Sequence, residues 1–232
     1  MSNYILLFAV LAVLIFGAVR GYKRGFLRQA VWFAALIATL FIVTKISPYV
    51  SSFLIDNTTL KDKIKGEIVT AYENNRSGSV PEDTEPGNEG ENVLIDSLGL
   101  PSLIADTLKS NNTTEIYDRL AVSLFEEYIA GYLSILSIKA GAFVGLFIVL
   151  AIIEFILIMT IKLLEKIPVL RTFNRLLGMA VGTTLSLVFI WVFFLASMMF
   201  FGHSFGGWVF AQVGNSRILT FLFNNNILFG LL

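Results

Sequence analysis

The chain has 232 residues, of which 56% are hydrophobic and 15% charged, whereas an ordinary soluble domain carries charge on roughly a quarter of its positions. Lipid is therefore the expected solvent for much of it. There is no cysteine and one histidine, His203, which excludes disulfides, thiolate metal sites and cysteine nucleophiles and removes most histidine-based metal and triad chemistry. A formal net charge of zero conceals a strong segregation of sign along the chain.

A hydrocarbon core of roughly 30 Å needs about 20 apolar helical residues. Four stretches meet or approach that length. Tyr4 to Val19 is uncharged but short, and Leu27 to Val43 carries only Arg28 at its start, where a long side chain can reach the headgroups, so both are expected to borrow flanking residues. Ala140 to Ile161 is interrupted only by Glu154, and Gly178 to Phe201 carries no charge. The first stretch differs from a signal peptide: no basic residue precedes it, and Arg20, Lys23 and Arg24 follow it directly. The short connections are basic, with Arg20, Lys23, Arg24 and Arg28 at the first and Lys162, Lys166, Arg171 and Arg175 against a lone Glu165 at the third. Excess Lys and Arg in short loops marks the cytoplasmic side. Both termini and the middle segment are then expected outside.

The middle segment, residues 47–137, holds fifteen Asp and Glu against six Lys and Arg. Thr59 and Asp62 have capping-box spacing ahead of a helix-period stripe of Leu60, Ile64, Ile68 and Tyr72. Residues 77–92 read SGSVPEDTEPGNEGEN, a composition that predicts a disordered linker. From Glu115, apolar Ile116, Leu120, Leu124, Tyr128 and Tyr132 recur every four residues, which predicts an amphipathic helix running almost directly into the third span. Beyond Phe201 the apolar runs are broken by Gly214, Asn215 and Arg217 and again by Asn224 to Asn226. Interfacial helices with Trp208 and the phenylalanines at headgroup level are expected there, with a fifth span or a re-entrant hairpin as the competing reading. The fold class is thus all-α: a polytopic helical membrane protein with about four transmembrane helices plus extracytoplasmic amphipathic helices. Its regions are a first hairpin (1–46), an acidic segment (47–137), a second hairpin (138–201) and the interfacial C-terminus (202–232).

No nucleophile elbow, zincin motif, P-loop or dinucleotide fingerprint occurs, so the sequence points to a protein that is not an enzyme and carries no cofactor or metal. Glu154, the one charge well inside a span, is a functional candidate because intramembrane carboxylates are costly. It either anchors the second hairpin by pairing with Lys162, Arg171 or Arg175, or serves an ion or substrate. Glycines recur every fourth residue at Gly17, Gly21 and Gly25, at Gly141 and Gly145, and at Gly178 and Gly182, a spacing that lets helix backbones approach in lipid. The last pair is the strongest candidate for a packing contact. His203 has no second ligand nearby and reads as an interfacial histidine.

Two patches resemble the bacterial colicin V production family, the CvpA membrane proteins. RGFLRQAV, Arg24 to Val31, resembles that family's basic, glycine and aromatic turn between spans one and two. NRLLGMAVG, Asn174 to Gly182, is similar to the segment leading into its last span, with a weaker echo at Asn215 to Ile218. Asn174 stands where an acidic residue usually precedes the arginine, Asn3 where an aspartate often enters the first span, and residues 56–115 are longer than in compact members. The resemblance implies an inner-membrane protein linked to peptide-toxin export and envelope homeostasis, without established catalysis. It directs attention to Arg24, Gly25, Arg28, Asn174, Arg175, Gly178 and Gly182. Membrane lipid, further copies of the chain, or an envelope or secretion protein are the partners expected, and nucleic acid is not. The alternative function is an oligomeric pore or small-solute transporter lined by Gly178, Gly182, Thr183, Thr184 and Ser186.

Overall fold

The computed structural model describes residues 4–75, 87, 89–122, 124–160 and 171–232. Every regular element among them is helical: α1 (Ile5–Arg24), α2 (Phe26–Asn57), α3 (Leu60–Asn75), α4 (Glu89–Ser97), α5 (Ser102–Ser110), α6 (Thr114–Leu120), α7 (Phe125–Thr160), α8 (Arg171–Met198), α9 (Ser204–Gly214) and α10 (Arg217–Asn224), with a final 3₁₀ turn at Phe229–Leu231. Four of them, α1, α2, α7 and α8, are long and apolar enough to cross a membrane. The chain is an all-α, multi-pass membrane protein. The two short apolar stretches do borrow their flanks, since α1 has 20 residues and α2 has 32.

At 1.5 Å per residue α2 is about 48 Å long and α7, with 36 residues, about 54 Å, so both outrun a 30 Å hydrocarbon core. Boundaries placed at 46/47 and 137/138 therefore fall inside continuous helices. α1 packs mainly against α8 and only lightly against α2, while α2 packs on α7 and α8. α8 is the shared wall of the bundle. At one end, called here the basic end, lie Arg20, Lys23, Arg24, Arg28 and Arg175; the other end carries a helical cap.

In the cap, α3 packs along α7 with Ile68 buried, and α10 touches α5, α8 and α9. Ile95, Ile104, Leu108, Tyr128, Phe194 and Phe223 are fully buried there. Polar side chains tie the pieces together. Tyr128 donates its hydroxyl to the Leu108 carbonyl at 2.6 Å, and the Trp191 indole donates to the Leu222 carbonyl at 2.9 Å. The Asn226 amide donates to the Trp191 carbonyl at 3.1 Å and its oxygen accepts from the Leu228 N–H at 3.0 Å. Asn224 sits at the start of α5, accepting from the Leu103 N–H at 3.4 Å and donating to the Ser102 hydroxyl at 2.7 Å. The C-terminal helices are only 11 and 8 residues long, too short to cross, and each buries one face, Val209, Phe210 and Val213 on α9 and Leu219 and Phe223 on α10. Phe205, Trp208, Ile218, Phe221 and Ile227 remain exposed on the outside.

Two sequence expectations need correction. The helix expected from Glu115 onward is interrupted: α6 stops at Ala121, which takes a left-handed conformation at φ 54°, and α7 begins afresh at Phe125. The disordered linker expected over 77–92 does not hold for its last residues: 89–92 open α4, and Glu91 is buried, accepting from the Gly87 N–H at 2.9 Å and the Asn112 amide at 2.8 Å. Residues 77–86 and 88 lie outside the described residues. Burial, and after it the Glu91 charge, pushes the Tyr117 hydroxyl far above its ordinary range, so this ring, stacked on Tyr128 at 5.0 Å between centroids, stays neutral.

Candidate functional site

The basic end is organised around a seam of small residues. Gly17, Gly21 and Gly25 recur every four residues, and so do Gly178, Gly182 and Ser186, so each helix presents one face without bulk. α1 and α8 set these faces together in antiparallel register: Gly17 meets Gly182 and Ser186, Gly21 meets Gly178 and Gly182, and Gly25 meets Gly178 and Asn174. A methyl group added at Gly21, Gly178 or Gly182 would fall within 3 Å of backbone atoms on the facing helix. The pairs expected at the sequence level are thus one interface. Gly141 and Gly145 behave differently: a methyl at Gly141 would meet only the Met199 side chain, and none lies within 4 Å of one at Gly145.

The seam continues into the α1–α2 turn, a single residue. Gly25 has φ 77° and ψ 166°, a backbone region that side-chain-bearing residues rarely adopt, and its N–H closes α1 by donating to the Gly21 carbonyl at 2.8 Å. With Gly25 as its first flanking residue, α2 has no capping side chain of its own. Asn174 supplies one from α8, its Oδ1 accepting from the Leu27 N–H at 3.3 Å. One residue on, the Arg175 guanidinium lies over the Tyr22 ring at 5.6 Å. The structure therefore brings Gly25, Asn174, Arg175, Gly178 and Gly182 together, although 149 positions separate Gly25 from Asn174. Arg24 is near them and Arg28 is exposed on the first turn of α2.

Beside the seam is a cleft of about 440 Å³ between α1, α2, α7 and α8. Its polar lining comprises Arg20, Arg24, Gln29, Thr39, Glu154 and Ser186. Gln29, Thr39 and Ser186 are buried, and the Thr39 hydroxyl, on a residue only 1% exposed, has no hydrogen-bond partner. The remaining walls are largely aliphatic and aromatic. Trp32 of α2 lies 5.9 Å from Phe155 of α7, and Phe147 of α7 meets Phe189 of α8 edge-on at 6.2 Å.

Glu154 thus faces a cleft shared with Arg20 and Arg24, and among the described residues it forms no ion pair. Of the three partners expected for it, Arg175 forms no ion pair with it, and that guanidinium lies over the Tyr22 ring instead. Lys162 and the Arg171 side chain lie outside the described residues. His203 acquires a partner that the sequence did not suggest: its Nε2 lies 3.2 Å from a carboxylate oxygen of Glu67 on α3. Among the described residues no three His, Asp or Glu side chains converge as metal ligands do. Gln29 and Thr39 were missed by sequence reading. Their signal was present, since Gln29, Leu36, Thr39, Val43, Ser47 and Ser51 form a helix-period stripe of buried residues along α2.

No family model, no curated protein and no solved structure matches the chain. The fold joins the two stretches Arg24 to Val31 and Asn174 to Gly182 at Gly25, Asn174 and Gly178.

Proposed function

We propose that this chain is a non-enzymatic accessory protein of the bacterial inner membrane, supporting export of colicin V-type toxins and envelope homeostasis through contacts made by its helical cap. The observation carrying this reading is that the family-like turn, Arg24 to Val31, and the family-like entry to the last span, Asn174 to Gly182, form one packed unit. Residues that resemble a family at two distant places in sequence are thereby explained by a single structural demand, the closure of α1 on α8. The basic end faces the cytoplasm in this reading, by the excess of Lys and Arg in its short loops. Both termini and the cap are then outside, where a partner could be engaged.

The alternative of a pathway between copies, lined by Gly178, Gly182, Thr183, Thr184 and Ser186, is disfavoured because Gly178, Gly182 and Ser186 are buried against α1, which leaves only Thr183 and Thr184 of that set outside the seam. Reporter fusions after Arg24 and after Arg171 are expected to behave as cytoplasmic, and fusions within Gly78 to Gly90 as exported. An exported signal at Arg171 would refute the orientation. Cells lacking the protein should lose toxin export or envelope integrity, and liposomes containing it should show no more ion or solute flux than protein-free ones. Steady flux through the purified chain would overturn the accessory reading in favour of transport.

A further inference from the structure

We infer that the cleft beside the seam is a binding site for an anionic phospholipid, with the phosphodiester at Arg20 and Arg24 and one acyl chain running inward along α2 and α7. The cleft is amphipathic along its length. Arg20 and Arg24 stand at the basic end, while Thr39 lies ten residues further along α2 than Gln29, about 15 Å deeper. That distance is half the thickness of a hydrocarbon core, so the cleft runs from the headgroup level to about the bilayer midplane. Its wall between those ends is apolar, formed by Trp32, Leu36, Phe147, Ala151 and Phe155.

The cleft is also open sideways. Phe16, Phe155 and Phe189 line it and are each more than half exposed on the surface that faces lipid in a membrane, so a chain can enter from the bilayer. A water-soluble anion would find a mostly hydrocarbon-like wall beyond the two arginines. Charge selects the headgroup. Arg20 and Arg24 against Glu154 leave one positive charge in the cleft, which a single phosphodiester neutralises and a zwitterionic headgroup does not. Neither arginine forms an ion pair with a described carboxylate, so both guanidiniums keep donors for phosphate oxygens. Basic pockets between membrane helices hold anionic headgroups by this combination. The site belongs to the leaflet at the basic end, whichever compartment that end faces.

The test uses the full chain, purified in mild detergent and reconstituted in vesicles of dioleoyl-phosphatidylglycerol or dioleoyl-phosphatidylcholine, with bound lipid counted by native mass spectrometry. About one phosphatidylglycerol per chain should survive purification, and phosphatidylcholine should not. Arg20→Gln and Arg24→Gln should each lower retention about fivefold, and the pair roughly 30-fold. Glu154→Gln raises the positive charge and should increase retention. Ala151→Phe keeps every charge and fills the wall, so it should abolish retention; Ala151→Leu is the milder version should the larger residue impair folding, which a melting curve reports. Gly145→Ala, outside the cleft, should leave retention unchanged. Inorganic phosphate added to the lipid-free protein should not shift its melting temperature, and a shift as large as that from phosphatidylglycerol would assign the site to a free anion. Equal retention of the two lipids, indifference to both arginines, indifference to Ala151→Phe in a folded protein, or a loss on Gly145→Ala would each overturn the proposal.

Discussion

The two sides of α8 solve the same packing problem in opposite ways. Towards α1 the helices meet backbone to backbone through glycine and serine, and no space is left for even one added methyl group at Gly21, Gly178 or Gly182. On the other side Phe189 meets Phe147 of α7 edge-on, Trp32 of α2 lies against Phe155 of α7, and a cleft of about 440 Å³ remains between α1, α2, α7 and α8. Lipid tails are as apolar as leucine, so the hydrophobic effect does not drive spans together; close van der Waals approach does, and small residues permit it. Where Phe147, Phe155 and Phe189 line the helices, no such seam forms and the cleft remains. One face of α8 is therefore built for cohesion, and the other leaves room for something else.

The largest expected effect breaks that comparison at its closed side. Gly178→Ala puts a methyl group against the Gly21 and Gly25 backbone, where neither partner can turn aside. Overpacking of this kind costs about 1 to 3 kcal/mol, and the upper part of that range is expected here because the obstruction is backbone. Gly145→Ala is the control in the same kind of helix: no neighbour lies within 4 Å of the new methyl, so the gain in helix propensity, up to about 1 kcal/mol, should be realised. Melting temperatures of the two variants in detergent should move in opposite directions. Equal changes would show that the seam is not what holds α1.

A smaller effect is expected where the cap is tied to α8. Asn226→Ala removes the donor to the Trp191 carbonyl and leaves the Leu228 N–H without its acceptor. Loss of hydrogen bonding at a residue this buried costs about 1 to 3 kcal/mol. Because the damage is local, residues 217–232 should become protease-sensitive before the bundle melts. Simultaneous loss of both would mean that cap and spans unfold as one unit.

At the turn the effect should be smaller again, and its sign depends on the residue introduced. Asn174→Ala deprives the Leu27 N–H of its partner and should cost about 1 kcal/mol. Asn174→Asp keeps the acceptor and adds a negative charge at the start of α2, which favours the helix by about 0.3 to 1 kcal/mol. A destabilised Asn174→Asp would show that the amide N–H groups beside Gly25, and not the oxygen, are what the turn requires.

The spans were legible because twenty-residue apolar runs leave few alternatives in a chain of this composition, and the glycine faces were legible because their four-residue spacing survives without a structure. Which faces meet was not. Gly17, Gly21 and Gly25 could serve α2, α7 or another copy equally well on spacing alone, and Ser186 joins the opposing series only once α1 is laid on α8. The interruption at Ala121 was hidden because neither glycine nor proline marks it and the apolar repeat continues across it from Leu120 to Leu124. Glu91 was hidden for a related reason. A segment rich in Pro, Gly and Glu reads as unable to bury anything, and composition does not reveal that one of those carboxylates will find two donors. Glu154 was found at once, since a lone charge in a span is conspicuous; of the partners the sequence offered, Lys162 and the Arg171 side chain lie outside the described residues, Arg175 is turned to Tyr22, and the fold adds a cleft that Glu154 lines with Arg20 and Arg24.

That difference sets the smallest predicted effect and the one that tests the open side of α8. Breaking a buried ion pair by removing one member costs about 3 to 5 kcal/mol, because the other charge is left unpaired in a poor solvent. Were Glu154 paired with Arg175, Glu154→Gln would lower stability by an amount of that order, and neutralising Arg175 as well would restore part of it. With the Arg175 guanidinium on the Tyr22 ring and Glu154 in the cleft, the two side chains share no contact. Glu154→Gln should therefore change stability by no more than about 0.5 kcal/mol, as substitutions outside packed or paired sites do. Arg175→Gln should cost its own small amount through the lost cation–π contact, roughly 0.5 to 1 kcal/mol at an exposed ring. The double variant should equal the sum of the singles within about 0.3 to 0.5 kcal/mol, as independent sites do. Thermal unfolding of the four proteins of this cycle measures the coupling directly. A coupling above about 1 kcal/mol would mean that α7 and the basic end of α8 approach each other in the membrane, and the cleft would then be a closed contact like the seam.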